Sequence, residues 1–409
     1  MKQPIECNVS LWDKKVGVLA HLNNKIYFQY DKSFLDSLLE ISPIHLSLSS
    51  KVYETTNLVQ FQGLAGVLAD SLPDSWGSKM IENYFLKHKN ISPYDISPLQ
   101  KLLYIGNRGA GALEFSPAQD NNDNIKHTLE IAELVKQSRK IIKGEISDVL
   151  SELYRVSSDS LGGAKAKATL GLNTTTNEMI YTSSTLPDGF EHWMVKFDTS
   201  DAKSIPSQDL LAEKLYLDMA SECGIDTVES KIIEDQNLSH LAVKRFDRKL
   251  DNKPYHVHTL AGMANIDFRD KSTMNYDKFF RTTLFVTKNY SQVKEAYSRM
   301  VFNVLSGNQD DHAKNHSFIM NKEGKWSLSP AYDISPTFGY GHQMEINFKD
   351  KSVNHKDLLV MADKFEIRDA KDIIQKQVEI LSDFDVRAKG IGISQKKIEI
   401  ILKGFKLFK

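Results

Sequence analysis

Hydrophobic and polar positions alternate along the chain from Val9 to Tyr30, and polar segments at 13–15 and 23–24 interrupt the alternation. A period of two is the pattern of half-buried strands, and Asp, Asn and Lys are common in the turns between them. The pattern therefore predicts a β-meander. The short run at 46–50 indicates one further strand.

A helical period follows Pro73. Apolar residues at 80, 81, 84 and 85 would lie on one side of a helix that Asp74 or Ser75 caps. The stretch 104–113 has three glycines within six residues and ends in a strand. Because no helix follows these glycines, we expect a tight turn with close backbone packing rather than a phosphate cradle.

The polar, Asn- and Asp-rich stretch 117–126 predicts a boundary. Periodicity beyond it predicts helices at 129–142, 146–156 and 209–221 and strands at 168–172, 193–197 and 241–248. From His256 onward the predicted elements are helices at 276–286, 291–305, 356–364, 374–386 and 396–407, with one hairpin at 318–328. We therefore expect an α+β chain in three parts: β-rich at 1–120, α/β at 121–250 and mainly α-helical at 251–409.

Composition narrows the class of protein. The 409 residues carry 52 Lys and Arg against 53 Asp and Glu, so no global field attracts nucleic acid or a membrane. Cys7 and Cys223 form neither a disulfide framework nor a metal spacing, which suits a reducing compartment. The N-terminus lacks the apolar core of a signal peptide, and no apolar run reaches the ~20 residues that span a bilayer. We expect a cytoplasmic protein with no membrane association.

The candidate chemistry is concentrated at residues 306–315, which read SGNQDDHAKN, and at Asp333 after the predicted hairpin. Four residues separate Asp310 from Asn315. Kinase-type phosphoryl transfer uses such a set, because one carboxylate orients the acceptor hydroxyl while an Asn and a second carboxylate hold metal ions. Taken alone, the same residues are equally compatible with a solvated loop.

Candidate phosphate contacts lie upstream. The stretch 157–167, SSDSLGGAKAK, suits a flap over nucleotide phosphates, although it is not a Walker A motif and a flexible loop is the alternative. Lys196 lies in an apolar strand, where its ammonium either reaches an edge or binds an anion. Glu213 could pair with Lys196, as in kinases, or lie on the surface beside Lys214.

These motifs, in this order, resemble the HipA family of bacterial toxin serine/threonine kinases, whose two-lobed, protein-kinase-like fold is related to that of phosphoinositide 3/4-kinases. The likeness covers about residues 9 to 335. The residues that carry it are LPDS at 72–75, IGNR at 105–108 with GAL at 111–113, the loop 162–167, VK at 195–196, VKRFD at 243–247, DDHAKN at 310–315 and YDI at 332–334.

The resemblance implies ATP and Mg²⁺ as cofactors, with Asp310 as the catalytic aspartate and Asn315 and Asp333 as metal ligands. It places Lys196 on the ATP phosphates and Asp247 beside the ribose. The other ATP contacts that it implies are Gly162, Gly163, Ala164, Lys165, Ala166 and Lys167 in the phosphate loop, Lys244, Arg245 and Phe246 in the adenine hinge, and His312 and Lys314 in the catalytic loop.

The resemblance also implies regulation and partners. Autophosphorylation of Ser160, with Ser157 and Ser158 as rival sites, would eject the phosphate loop and switch the kinase off. The protein substrate would be an aminoacyl-tRNA synthetase, whose modification arrests growth. A DNA-binding antitoxin of the HipB type is the implied partner, so that DNA is contacted only through it.

Two positions depart from the family pattern. Asp311 stands where many relatives have Gly, and a second carboxylate beside Asp310 could disturb its ionisation. Lys244 replaces a common Glu, which matters little if only its backbone meets adenine. Besides an active toxin kinase, two interpretations stay open: a kinase of the same fold for a small molecule or lipid, and a pseudokinase that acts as a co-repressor.

Overall fold

The computed structural model describes residues 5–118, 130–145, 151–157, 165–181, 186–200, 207–248 and 254–407. The chain divides into two compact units. The first comprises Met1–Pro206, Ile233–His258 and Ile319–Gly324, and the second comprises Ser207–Ile232, Thr259–Phe318 and Lys325–Lys409. The predicted α+β organisation is confirmed, whereas the three predicted part boundaries stay a prediction.

The described strands and helices, in chain order, have the following bounds. The strands are β1 (Ile5–Leu11), β2 (Lys14–Leu22), β3 (Lys25–Tyr30), β4 (Val52–Glu54), β5 (Leu113–Ser116), β6 (Lys167–Asn173), β7 (Met179–Tyr181), β8 (Phe190–Lys196), β9 (Ser230–Asp235), β10 (Leu238–Lys244), β11 (His256–Thr259), β12 (Ser317–Met320) and β13 (Trp326–Leu328). The helices are α1 (Lys32–Leu35), α2 (Gly66–Ala69), α3 (Ser75–Tyr84), α4 (Pro98–Ile105), α5 (Ile131–Lys143), α6 (Ser151–Ser157), α7 (Asp209–Glu222), α8 (Leu260–Met263), α9 (Tyr276–Thr287), α10 (Tyr290–Ser306), α11 (His355–Lys364), α12 (Ala370–Ser382), α13 (Phe384–Gly390) and α14 (Gln395–Leu402).

The predicted meander is the antiparallel sheet of the first unit, in which the described strands follow the order β4-β3-β2-β1-β5. Its first turn differs from the prediction. Trp12 and Asp13 have φ of 49° and 65°, so a two-residue turn suffices and Lys14 already begins β2. The strand predicted at 46–50 is wrong, because the sheet is extended by β4 instead.

A second sheet of the first unit has the described strand order β7-β6-β8-β10-β9. One of its faces is covered by α3, α5 and α6. Trp76 and Met80 of α3 form a single buried cluster with Tyr154 of α6, Leu170 of β6 and Trp193 of β8. The predicted helix start at Asp74 is confirmed, although the Asp74 side chain makes no capping hydrogen bond.

The second unit is mainly helical, as predicted. Its central helix, α10, is buried on every side from Tyr297 to Ser306, which is typical of a helix inside a core. Gly307 ends this helix with φ of 71°. The turn that follows β12 belongs to the first unit, and a 3.0 Å hydrogen bond from the Gly324 N–H to the Asn321 carbonyl closes it at the place where a hairpin turn is predicted. Among the described helices, none is long and apolar enough to cross a membrane.

Candidate functional site

The segment between α10 and β12, which we call the catalytic loop (residues 307–316), contains both Asp310 and Asn315. Asn315 lies in a short 3₁₀ helix, Ala313–Asn315, and its Nδ2 donates a 2.8 Å hydrogen bond to the Asp310 carbonyl oxygen. This bond closes the loop on itself. Because Asn315 Nδ2 donates in this bond, the amide oxygen Oδ1 is the acceptor atom of Asn315 that can coordinate a cation.

The Asp310 side chain is 47% exposed, and its Oδ1 lies 3.7 Å from His312 Nε2. A half-exposed carboxylate can meet an external hydroxyl. The aromatic ring of Phe268 supports the neighbouring loop residues: its centroid lies 5.2 Å from that of the His312 ring and 5.1 Å from Lys314 Nζ. Sequence analysis did not identify Phe268, because no motif marks an aromatic residue 42 positions before Asp310.

Asp333 follows β13 and Pro330 and adopts a left-handed backbone conformation with φ of 55°. Positive φ in a residue other than Gly is uncommon and is concentrated at functional sites. The preceding residue, Tyr332, donates its hydroxyl to the Lys314 carbonyl oxygen at 2.8 Å, and the hydroxyl lies 2.6 Å from Ser317 Oγ. The segment that carries Asp333 is thereby tied to the residue just before Asn315.

Asn315 and Asp333 line one small cavity of about 20 Å³ within the second unit. One amide oxygen and one carboxylate fit Mg²⁺, which is typically held by one or two carboxylates, several waters and substrate phosphates. In the part of the chain that the structure describes, no group of three or more His, Cys, Asp or Glu side chains could hold a metal by itself. The donor set therefore suits a shared Mg²⁺ site better than a structural zinc site.

Asp311 lies inside the second unit, whereas Asp310 is half exposed. The Asp311 carboxylate accepts hydrogen bonds from the Tyr276 hydroxyl (2.8 Å) and the Gln343 N–H (2.7 Å). It also lies 2.8 Å from His342 Nδ1. Burial alone would raise the pKa of Asp311, but His342 and these hydrogen bonds hold it below its ordinary value. These bonds make the Asp311 carboxylate an anchor of the loop, and Asp311 also lines the same small cavity as Asn315 and Asp333.

Further bonds brace the start of the catalytic loop. Asn308 Nδ2 donates to Asn303 Oδ1 at 2.9 Å, and Asn303 Nδ2 donates to the Tyr276 hydroxyl at 3.0 Å. Gln309 Oε1 accepts hydrogen bonds from three consecutive N–H groups, at 2.8, 3.2 and 3.0 Å, which belong to residues 339–341. No sequence pattern pairs Asn303 with Tyr276 or Gln309 with residues 339–341, because about thirty positions separate them in the chain.

In the first unit, Lys167 of β6 and Lys196 of β8 are register partners. Both side chains are buried. Directly opposite residues of an antiparallel pair project from the same face of the sheet, so Lys167 and Lys196 share a face. Their neighbours Ala168 and Val195 project from the other face, where they belong to the core cluster. This face of the sheet therefore carries two buried lysines side by side, and a buried ammonium group requires a polar or charged partner. The predicted alternative in which Lys196 reaches an exposed edge is wrong.

The predicted hinge, residues 244–246, begins at the last residue of β10. Lys244 Nζ pairs with Glu191 at 2.7 Å on the neighbouring strand β8. The Arg245 guanidinium donates to both Asp247 oxygens, at 2.9 and 2.6 Å, and the Gly111 N–H donates to Asp247 at 2.8 Å. Burial would raise the pKa of Asp247, but the guanidinium groups of Arg245 and Arg248 hold it well below its ordinary value. Phe246 is half-buried.

Asp247 and Arg248 both bond to the backbone of the glycine-rich stretch 104–113, which explains why glycines are present there. The carbonyl oxygens of Gly109 and Gly111 accept hydrogen bonds from the Arg248 guanidinium at 3.0 and 2.7 Å. Gly111 has φ of 77°, and a Cβ there would lie 2.9 Å from the Val257 nitrogen. The predicted tight turn with close packing is confirmed. The Asp247 carboxylate accepts hydrogen bonds from Arg245 and from the Gly111 N–H, so it stabilises this turn. The expected contact of Asp247 with the ribose stays a prediction.

Several predicted residues lie outside the described part of the chain: Ser158, Ser160, Gly162, Gly163 and Ala164. Ser157 is buried at the end of α6, Ala166 is buried, and Lys165 is exposed.

Glu213 is buried in α7, and Lys214 pairs instead with Asp218 at 2.5 Å. The surface alternative for Glu213 is therefore wrong, while its pairing with Lys196 stays a prediction.

Comparison with known proteins indicates the family to which the chain is similar. A family model described as the HipA-like C-terminal domain matches residues 159–384, and one described as the HipA N-terminal domain matches residues 7–116. A protein of Haemophilus influenzae described as “Putative kinase” is 33% identical over 141 residues, which cover 30% of this chain and 40% of that protein. “Putative kinase Y4dM” of Sinorhizobium fredii is 26% identical over 160 residues, 36% of this chain and 38% of that protein.

Among solved structures, a chain of the complex of HipA, HipB and operator DNA from a Shewanella oneidensis toxin–antitoxin system is similar in fold. The TM-score is 0.68 at 17% identity, over 97% of this chain and 94% of that one. At this identity the likeness shows the fold alone, and the predicted HipA-like fold class is confirmed. Because the C-terminal domain model by itself matches more than half of the residues, the chain belongs to the HipA family.

Proposed function

We propose that this chain is an ATP- and Mg²⁺-dependent kinase that phosphorylates serine or threonine of a protein. The observation that carries the proposal is the arrangement of the second unit: Asn315 and Asp333 line one cavity, and the half-exposed Asp310 is bonded through its carbonyl to Asn315. The two relatives described as kinases support the same class of reaction.

Each residue has a role in the proposed transfer. Asp310 orients the acceptor hydroxyl and accepts its proton as the oxygen attacks the γ-phosphorus and the bond to the leaving ADP oxygen breaks. Asn315 Oδ1 and the Asp333 carboxylate would hold Mg²⁺, which would supply positive charge that neutralises the phosphates. In the first unit, Lys196 and Lys167 bind the α- and β-phosphates. Lys244, Arg245 and Phe246 supply the adenine-binding backbone.

The finer assignments rest on family membership. We propose an aminoacyl-tRNA synthetase as the protein substrate and growth arrest as the consequence. The relative in Shewanella oneidensis was solved with HipB and operator DNA, and we propose a HipB-type antitoxin as partner of this chain. Autophosphorylation of Ser160 would act as the off-switch.

The test is incubation of the dephosphorylated full chain with Mg²⁺ and γ-labelled ATP, followed by mapping of the label by mass spectrometry. Asp310→Asn should abolish transfer and leave ATP binding intact. Asp372→Asn is the matched control, because Asp372 is an exposed carboxylate on α12. Label on Ser160, Ser157 or Ser158 in the wild type and the control would support the proposal.

ATP binding without any transfer would overturn it in favour of a pseudokinase that serves as a co-repressor. Transfer to a small alcohol or lipid but to no protein would leave a kinase with a different substrate class. The bonds that Asp311 makes to His342, Tyr276 and the Gln343 N–H support an active kinase, and the pseudokinase stays the alternative.

A further inference from the structure

A second, larger cavity of the second unit is bordered by Gly307 and Gln309 of the catalytic loop. Its volume is about 320 Å³. Four segments line it, around residues 304–309, 338–342, 350–353 and 403–406. The last segment lies directly on the first: a Cβ on Gly307 would come 2.5 Å from the Gly404 carbonyl oxygen, and the Lys406 N–H donates to Leu305 at 2.9 Å. We call this cavity the rear pocket.

The lining of the rear pocket has more positive than negative side chains. Lys351, Lys403 and Lys406 line it against a single carboxylate, that of Asp350. All three lysines are exposed to solvent. Three lysines and one aspartate give the lining residues an excess of positive charge, which attracts an anion.

A group of backbone N–H donors also lies at the rear pocket. The N–H groups of residues 339–341 converge on one point, which Gln309 Oε1 occupies. Successive N–H groups that converge in this way form a concavity that binds anions. Gln309, Gly339 and Gly341 all line the pocket, so a phosphate oxygen that used these donors would replace Gln309 Oε1 at this point.

We propose that the rear pocket binds a small molecule that bears phosphate groups. Lysine is a point-charge ligand for phosphate, and a cavity of this volume lies at the lower end of the range for small-molecule sites. The proposal uses none of Asp310, Asn315, Asp333 or Lys196, so it stands apart from the kinase assignment.

The pocket shares residues with the catalytic loop. His342 borders it and contacts Asp311, and Gln309 borders it one residue before Asp310. Occupancy should therefore slow amide exchange in the catalytic loop as well as in the pocket. This gives a local readout that does not depend on phosphate transfer.

The experiment is hydrogen–deuterium exchange of the full chain with and without pyrophosphate, without Mg²⁺. We expect slower exchange across 338–353 and 403–407 in the wild type and in Lys196→Gln, which removes a phosphate contact of the first unit. The double variant Lys403→Gln/Lys406→Gln should bind pyrophosphate about tenfold more weakly or worse. The matched control, Lys371→Gln/Lys396→Gln, removes two exposed lysines of α12 and α14 and should behave as the wild type.

Protection that is confined to the first unit, or that persists unchanged in the double variant and in Lys351→Gln, would overturn the proposal. Protection by an acidic decapeptide but not by pyrophosphate would overturn the assignment to a phosphate-bearing small molecule. Either result would leave the kinase test unaffected, because that test depends on Asp310.

Discussion

The Tyr332 hydroxyl donates a 2.8 Å hydrogen bond to the Lys314 carbonyl oxygen. Each of these residues stands directly before one of the two proposed Mg²⁺ ligands, Asn315 and Asp333. The bond therefore sets the separation of two ligands that come from different segments of the chain. A cation with strict octahedral geometry depends on such a brace, because Mg²⁺ tolerates little distortion of its ligands.

Replacing Tyr332 by Phe removes this brace while it keeps the ring. We expect the Mg²⁺ concentration for half-maximal ATP turnover to rise by about three- to tenfold, since the ligands remain but are less well placed. The free energy of unfolding should fall by about 1 kcal/mol for the lost hydrogen bond. Steady-state kinetics against Mg²⁺ measures the first effect.

Tyr340→Phe is the control for Tyr332→Phe, because the Tyr340 side chain is 73% exposed. An unchanged Mg²⁺ dependence in Tyr332→Phe would show that the bond does not position the ligands.

Asp311→Asn should destabilise the second unit. The substitution removes a buried charge that His342, Tyr276 and Gln343 contact. We expect a loss of about 2–4 kcal/mol in the free energy of unfolding, measured by urea denaturation at pH 7. The pKa of Asp311 is lowered in the folded state, so its contribution is present above the ordinary carboxyl pKa and is lost as pH falls below it.

The difference between wild type and Asp311→Asn should therefore shrink in acid. Asp372→Asn, on an exposed surface, should cost less than about 0.5 kcal/mol at any pH. A neutral effect of Asp311→Asn at pH 7 would mean that the buried network is not a net stabiliser.

Gly307→Ala should strain the junction between α10 and the catalytic loop. Gly307 has φ of 71°, and an added Cβ would come 2.5 Å from the Gly404 carbonyl oxygen. We expect a loss of about 2–4 kcal/mol, because the conformational cost adds to a backbone overlap. In Gly392→Ala, φ is also positive (88°) but nothing lies within 4 Å, so only the conformational cost of about 1 kcal/mol should remain. Thermal unfolding followed by circular dichroism compares the two, and equal losses would contradict the overlap.

His256 should make the stability of the first unit depend on pH. Burial lowers the pKa of His256 from 6.5 to about 4, although its hydrogen bond to the Ile41 carbonyl opposes this. The folded chain therefore binds a proton less readily than the unfolded chain, and stability is lost as pH falls from 6.5 towards 4. We expect about 1–2 kcal/mol of this loss by pH 5.

His256→Gln should flatten that part of the pH profile, because Gln keeps a donor for Ile41 and does not titrate. His21→Gln, at a partly exposed position of β2, is the control. A profile that is as steep in His256→Gln as in the wild type would assign the dependence to other groups.

Much of the architecture could be predicted from periodicity. The alternation at 9–30 and the helical period at 291–305 correspond to β1–β3 and α10, because burial on one face of an element imposes its period on the residues themselves. The strand predicted at 46–50 failed because its short run has no period long enough to separate a strand from turns. The order of motifs also identified the family, which the comparisons confirm.

The sequence by itself determined the type of most elements and the candidate residues Asp310, Asn315 and Asp333. Only the tertiary structure decided how neighbouring candidates divide their roles: Asp310 is half exposed while Asp311 is buried. It also paired Asp247 with Gly111 and placed Lys167 opposite Lys196. The physical reason is that strand register and side-chain direction depend on partners distant in the chain, and a local pattern carries no information about which partner will be met.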